Sequence, residues 1–170
     1  WLPPMHEGEA IGCFGLTEPD AGSDPGAMRT HARRDGSDWV LNGTKHFITN
    51  GKHAEFALVF AANDRAKKAQ GGITAFIVEK GTPGFEVGRA QRGMVEGEGQ
   101  FELVFDDCRV SEEQILGGPD NVGMGFYSAM QFLAMGRLSI AATCNGIAEY
   151  ALGLGIDYAK QRVAFDRPIG

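Results

Sequence analysis

Two rhythms of apolar residues run along the chain, and they change over near Gly118. Before that point the apolar positions fall in short runs broken by glycine, asparagine and proline. Trp39-Val-Leu, Thr44 to Thr49, Phe56-Ala-Leu-Val-Phe-Ala, Ile73-Thr-Ala-Phe-Ile-Val and Phe101-Glu-Leu-Val-Phe are each β-prone and bounded by turn residues. Asn42-Gly43 favours φ > 0 at both central positions of a type I′ turn, which predicts a hairpin there, and Asn50-Gly51 marks the next turn. Asn63 to Gly72 is polar and basic and reads as an exposed loop. Many short strands with regular turns predict a sandwich or barrel. Antiparallel pairing is expected, because no helix intervenes for a parallel crossover.

From Gly123 the spacing becomes helical. Phe126, Met130, Leu133, Arg137, Ile140, Cys144, Ile147, Ala151 and Leu154 follow at steps of three or four, one face of a helix running to about Val163. Asp120 or Asn121 is placed to cap it. Gly136, Gly146, Gly153 and Gly155 each cost about 1 kcal/mol against alanine in an exposed helix, so their presence suggests close packing of another helix or a ligand. The pattern predicts a mainly β region, 1–118, followed by an α region, 119–170.

Composition narrows the classes. Hydrophobic residues are 43% and charged residues 22% of the 170, ordinary for a globular chain. A net charge of −6 without a long basic run argues against nucleic acid or an anionic membrane as the main partner. Cys13, Cys108 and Cys144 are odd in number and widely spaced, which points to buried free thiols rather than a disulfide framework or zinc site. No apolar run is long enough for a transmembrane segment, and Trp1-Leu-Pro-Pro is no signal peptide. An opening without Met in a Pro-Pro stretch reads as a connector inside a longer protein.

The densest candidate chemistry is Gly15-Leu-Thr-Glu-Pro-Asp-Ala-Gly-Ser-Asp-Pro-Gly-Ala27. Small residues, hydroxyls and carboxylates after an apolar run can bring backbone N–H groups close to a ligand. The same mixture also makes a capped surface turn. It is neither a Walker loop, lacking Gly-Lys-Ser/Thr, nor a dinucleotide fingerprint. Glu18 and Asp20 have no fixed geometry as an acid/base pair and read as structural carboxylates. His6, His31, His46 and His53 show no metal or triad spacing; His46 alternates with Phe47 and is expected to face the other way. Arg137, on an apolar stripe, needs polar partners or must snorkel to a helix edge.

Five segments in collinear order resemble the acyl-CoA dehydrogenase family of flavoproteins. They are Phe14-Gly-Leu-Thr-Glu-Pro-Asp-Ala-Gly-Ser-Asp24, Leu41-Asn-Gly-Thr-Lys-His-Phe-Ile-Thr-Asn-Gly51, the Thr82-Pro-Gly-Phe turn with Leu103-Val-Phe-Asp-Asp-Cys-Arg-Val110, Gly136-Arg-Leu-Ser-Ile-Ala-Ala142, and Gln161-Arg-Val-Ala-Phe-Asp-Arg-Pro-Ile169. The resemblance implies that 1–118 is the family's middle β-domain and 119–170 the first helix of its C-terminal helical-bundle domain. It implies FAD as cofactor and an acyl-CoA substrate, oxidised to a 2,3-enoyl-CoA by α-proton abstraction and β-hydride transfer to flavin N5. An electron-transferring flavoprotein would accept the electrons. A homo-oligomer, a dimer of dimers, is implied, in the cytoplasm of a bacterium or the mitochondrial matrix of a eukaryote.

By the same resemblance Phe14, Leu16, Thr17, Gly22, Ser23, Phe47, Ile48, Thr49, Arg162 and Phe165 are cofactor-binding residues, and Ser23, Leu133 and Arg137 meet the substrate. The backbone and hydroxyl around Leu16 and Thr17 would face the pyrimidine edge of the flavin, where reduction places negative charge at N1 and C2=O. Thr49 would bond near N5, Phe47 would pack on one flavin face, and Arg162 would reach the neighbouring subunit's FAD. No metal is implied. No catalytic base is expected within the chain: the helix position directly before Arg137, where a minority of members carry it, is Gly136, and most members carry it on a later segment. Three departures stand out: Glu96-Gly-Glu98 near the pantetheine path, Asp166 where relatives have Gly, and Ala134 in place of an acidic residue. A rival expectation is a non-catalytic β-barrel interaction module, or a homologue that has lost acyl-CoA chemistry.

Overall fold

In the first of two structural units, Trp1–Ser128, a short helix α1 (Leu2–His6) precedes seven strands. They are β1 (Gly12–Gly15), β2 (His31–Asp35), β3 (Asp38–Thr49), β4 (Phe56–Ala62), β5 (Ile73–Glu79), β6 (Phe85–Gln91) and β7 (Gln100–Ser111). The computed structural model describes residues 1–93 and 99–170. The strands make one sheet in the order β1-β4-β2-β3-β7-β6, with β5 also paired to β4. Its core takes alternate residues, changing parity where the β3–β7 register shifts: Trp39, Leu41 and Ile48 of β3, Val59 and Ala61 of β4, Phe76 and Val78 of β5, and Leu103, Phe105, Cys108 and Val110 of β7. Trp39 and Phe76 meet at 5.7 Å between ring centroids, and Phe85 stacks on Phe105 at 5.0 Å. Mainly β followed by α is the observed class.

The structure corrects three expectations. Asn42-Gly43 is no hairpin. β3 runs straight through it, and the chain reverses instead at Gly36-Ser37, between the Asp35–Asp38 pair, with Gly36 at φ +68°. Gly43, at φ +147°, lies where the β3–β7 register shifts; the extra residue is on β7, between Phe105 and Cys108, where Asp107 stands at φ +45°. Asn-Gly supplies positive φ opposite such a bulge as readily as in a turn. Secondly, pairing is not wholly antiparallel. β1 lies parallel to β4, Gly12 opposite Phe56 and Gly15 opposite Val59, because the β2–β3 hairpin takes the place of a crossover helix. Thirdly, Cys144 is exposed, whereas Cys13 and Cys108 are buried, and their burial pushes both thiols up to about 11.

The helix α2 (Gly125–Gln161) is 37 residues long, about 55 Å at 1.5 Å per residue. It begins in the first unit and makes up most of the second, Ala129–Gly170. Neither Asp120 nor Asn121 stands at its N-cap: both lie in the 3-10 turn Pro119–Asn121, short of the helix start at Gly125. The helix is apolar on more than the predicted stripe. Leu138, Ile140, Ile147, Tyr150, Leu152 and Leu154 are all exposed, and Leu138 and Ile140 point about 200° apart. A helix apolar all round belongs in an interior. Among the described residues nothing lies within 4 Å of a Cβ added at Gly136, Gly146, Gly153 or Gly155. The chain then closes a small hairpin, β8 (Val163–Ala164) with β9 (Arg167–Pro168). Its two turn residues, Phe165 and Asp166, both have positive φ, +55° and +61°. Asp tolerates that conformation better than most residues do. No helix among the described residues is long and apolar enough to cross a membrane.

Gly43 should resist substitution more than any propensity scale suggests. A Cβ there would overlap the side chain of Thr30 as well as sit at positive φ. Gly43→Ala should lower unfolding free energy by about 2 kcal/mol or more in urea denaturation; Gly36→Ala, with open space around it, should cost less.

Candidate functional site

The loop after β1 is laid against β3 and held there by polar bonds. His46 N–H donates to the Thr17 carbonyl at 2.8 Å, and Lys45 Nζ donates to the Leu16 carbonyl at 3.2 Å. Lys45 Nζ also meets Glu18 Oε1 at 2.7 Å, with both side chains buried. The Glu18 carboxylate accepts two backbone bonds besides, from Thr30 N–H at 3.0 Å and Arg29 N–H at 2.6 Å. A tight turn follows, closed by Glu18 and Ala21 bonding to each other's backbone. Gly15 lets the strand pass close to Lys45: an added Cβ would stand 3.6 Å from the lysine's Cγ and 3.3 Å from the Leu58 carbonyl.

β3 carries a second irregularity where it meets this loop, with the register to β7 shifting between Lys45 and Ile48. Lys45 and Ile48 are both buried, so His46 and Phe47 are left together on the other side. The expected alternation of His46 and Phe47 therefore fails: their rings meet edge-on at 4.7 Å. Phe47 stands at φ +56° and is 46% exposed. A bulky side chain in the left-handed region costs about 1–3 kcal/mol and persists only where neighbours impose it. Here Gln91 does so, its side-chain oxygen accepting the Phe47 N–H.

The predicted residues thus divide. Leu16 and Thr17 adjoin the Lys45–Thr49 segment, although nearly thirty positions separate them in sequence. Phe14 lies beside them with its ring 4.9 Å from Phe60. Ile48 puts its side chain in the core, leaving only its backbone for a ligand, while Thr49 is exposed opposite Gln100. Gly22 and Ser23 are exposed on the loop beyond the Glu18–Ala21 turn. Among the described residues, the Thr17 hydroxyl and N–H and the hydroxyls of Ser23 and Thr49 have no protein partner. Leu133, Arg137, Arg162 and Phe165 belong to the second unit. Leu133 and Arg137 line an apolar recess of about 490 Å³ with Gly136, Ile140 and Ala141. Arg137 is exposed and forms no ion pair among the described residues. Arg162 N–H bonds the Tyr158 carbonyl at 2.8 Å, and Phe165 is 97% exposed at its hairpin tip. The Glu96 and Glu98 departure lies outside the described residues.

Sequence reasoning missed Lys45 and Gln91. The signal for Lys45 was available: counting by two from Leu41 places it inward, where a cation needs a counter-ion, and Glu18 had been left without a role. The pair's titration is lopsided. Burial pushes Glu18 upward, but the Lys45 ammonium and the Thr30 and Arg29 bonds outweigh it and hold the carboxyl below its usual range. Burial lowers Lys45 to about 8 against the opposing pull of Glu18, so it remains largely protonated at neutral pH.

The acyl-CoA dehydrogenase middle domain matches residues 13–108, and the acyl-CoA dehydrogenase C-terminal domain matches residues 123–170. Human mitochondrial short-chain specific acyl-CoA dehydrogenase is 47% identical over 170 residues, covering 99% of this chain and 40% of that protein. Butyryl-CoA dehydrogenase from Megasphaera elsdenii superposes with a TM-score of 0.90 at 45% identity, covering 99% and 44%. Glutaryl-CoA dehydrogenase from Mycobacterium smegmatis, in complex with FADH2, superposes with a TM-score of 0.81 at 40% identity, covering 99% and 42%. The chain belongs to the acyl-CoA dehydrogenase family. It spans less than half the length of these relatives.

Glu18→Gln should cost about 3–5 kcal/mol at pH 7, because it leaves a buried ammonium without its counter-ion. A carboxyl depressed on folding stabilises above its unfolded pKa of about 4.3, and that contribution is lost as pH falls through the folded value. The gap between Glu18→Gln and the parent should therefore be full above about pH 5 and close at lower pH, as read from denaturation midpoints over that range.

Proposed function

We propose that this chain is the flavin-facing part of an FAD-dependent acyl-CoA dehydrogenase. What supports this reading is the His46–Thr17 backbone bond, which lays Thr17, with its unpaired N–H and hydroxyl, against β3 next to Phe47, an exposed aromatic held in the left-handed region. A tricyclic ring with a polar edge fits that arrangement: the ring lies on Phe47 and the edge meets the donors. FAD, when bound, supplies the hydride-accepting chemistry that turns an acyl-CoA into a 2,3-enoyl-CoA.

In this reading the chain's own residues bind and orient. The Thr17 donors bond the pyrimidine edge, Thr49 bonds the central ring, Phe47 shields one face, and Ser23 meets a phosphate or the pantetheine arm. Arg162 and Phe165 serve a neighbouring subunit's cofactor, with Leu133 and Arg137 on the acyl side. An electron-transferring flavoprotein takes the electrons, and the protein works in the bacterial cytoplasm or the mitochondrial matrix. Glu18, the buried loop carboxylate, does not serve as base. It already accepts three bonds and is held ionised below the range a general base needs. Gly136 has no side chain, and the family resemblance implies a glutamate on a later segment as the group that removes the α-proton.

The full-length protein should purify yellow and bleach anaerobically on addition of a saturated acyl-CoA. A colourless protein that FAD cannot reconstitute would sink the proposal. Changing the proposed downstream glutamate to glutamine should slow bleaching by about 10³-fold or more while leaving the colour. The 170 residues alone should show no acyl-CoA oxidation in excess FAD.

A further inference from the structure

Lys45 is the largest fully buried side chain of the core, and the reaction as described has no use for it. A methionine would fill the same space without the cost of desolvating an ammonium. What a methionine lacks is the bond to the Leu16 carbonyl. That bond has a geometric consequence. Among the described residues no peptide is cis, and across a trans peptide the C=O and the following N–H point in opposite directions. Drawing the Leu16 carbonyl inward onto Nζ therefore turns the Thr17 N–H outward. The next peptide is fixed the same way: the Thr17 carbonyl accepts from His46 N–H, and the Glu18 N–H goes to the Ala21 carbonyl at 3.0 Å. The outward Thr17 N–H has no acceptor among the described residues.

We infer that Lys45, clamped by Glu18, is a positioning residue: it locks the Leu16–Thr17 peptide with its N–H aimed at the bound ligand. The inference rests on the FAD reading and deepens it. Glu18 holds the ammonium in place, and the Arg29 and Thr30 N–H groups hold Glu18, so the orientation is set before any ligand arrives. The buried cation also lies one peptide behind the edge that gains negative charge on reduction, and favours the reduced cofactor over the oxidised one.

The test uses the full-length protein. Lys45→Met and Glu18→Gln apoproteins are titrated with FAD, and the potential of the bound cofactor is measured beside the wild type. Both variants should retain the fold, and Lys45→Met should weaken binding of reduced FAD relative to oxidised FAD about tenfold, a shift of about −30 mV for two electrons. Glu18→Gln should move the potential in the same direction by less. Folded, flavin-loaded variants with the wild-type potential would overturn the inference and leave the FAD reading standing. Wild-type protein that takes up no FAD would overturn both. Should the variants not fold, deuterium exchange on the wild type decides: the Thr17 amide should exchange freely without FAD and at least tenfold more slowly with it. An amide protected before FAD is added, or unaffected by it, overturns the inference.

Discussion

An ammonium group with no access to water has to be met on every side, and meeting Lys45 organises the first unit. Its charge is balanced by Glu18, which is itself held by two backbone N–H groups from the segment entering β2. Three stretches far apart in sequence, the loop after β1, the approach to β2 and the middle of β3, converge on one buried charge. Hydrophobic burial would collapse these strands into a sheet, but it is indifferent to the direction of a peptide plane. The ion pair supplies that direction, at a cost in desolvation that an apolar replacement would avoid.

The site grows where the sheet departs from regularity. Two irregularities displace the pairing of β3 with β7: one has its extra residue on β7, opposite Leu41–Gly43, and the other has it on β3, between Lys45 and Ile48. The first makes room for Thr30, which leads into the bonds on Glu18. The second brings Phe47 and His46 to the same side and puts Phe47 in a conformation its side chain disfavours. Regular strand would bury every second residue and present a flat surface. The irregular strand presents an aromatic, flanked by unpaired hydroxyls, beside an immobilised peptide.

The same contrast explains what was legible beforehand. The switch from short runs to helical spacing located the β region and α2, because burial on a regular element leaves a period in the sequence. Strands β4, β5 and β7 were visible for that reason. β2, His-Ala-Arg-Arg-Asp, has little apolar signal because most of its side chains face solvent, and it escaped notice. Asn42-Gly43 was read as a turn because positive φ alone does not distinguish a turn from a bulge. His46 was misplaced because a period of two assumes no inserted residue. The site residues themselves came from the family resemblance rather than from periodicity. Lys45 could have been found from the inward count, but only by asking which carboxylate would answer it.

The bulge between Lys45 and Ile48 makes the segment a parity device. It shifts by one which residues face in, so that lysine and isoleucine, three apart, both enter the core. Point substitutions within it alter one side chain at a time. Deleting one of the two residues between Lys45 and Ile48 would put lysine and isoleucine two apart, both still inward on a regular strand, and would leave a single side chain on the outer face where His46 and Phe47 now stand together. The extra residue is what doubles the outward side chains here, so the segment's length governs what this surface can present.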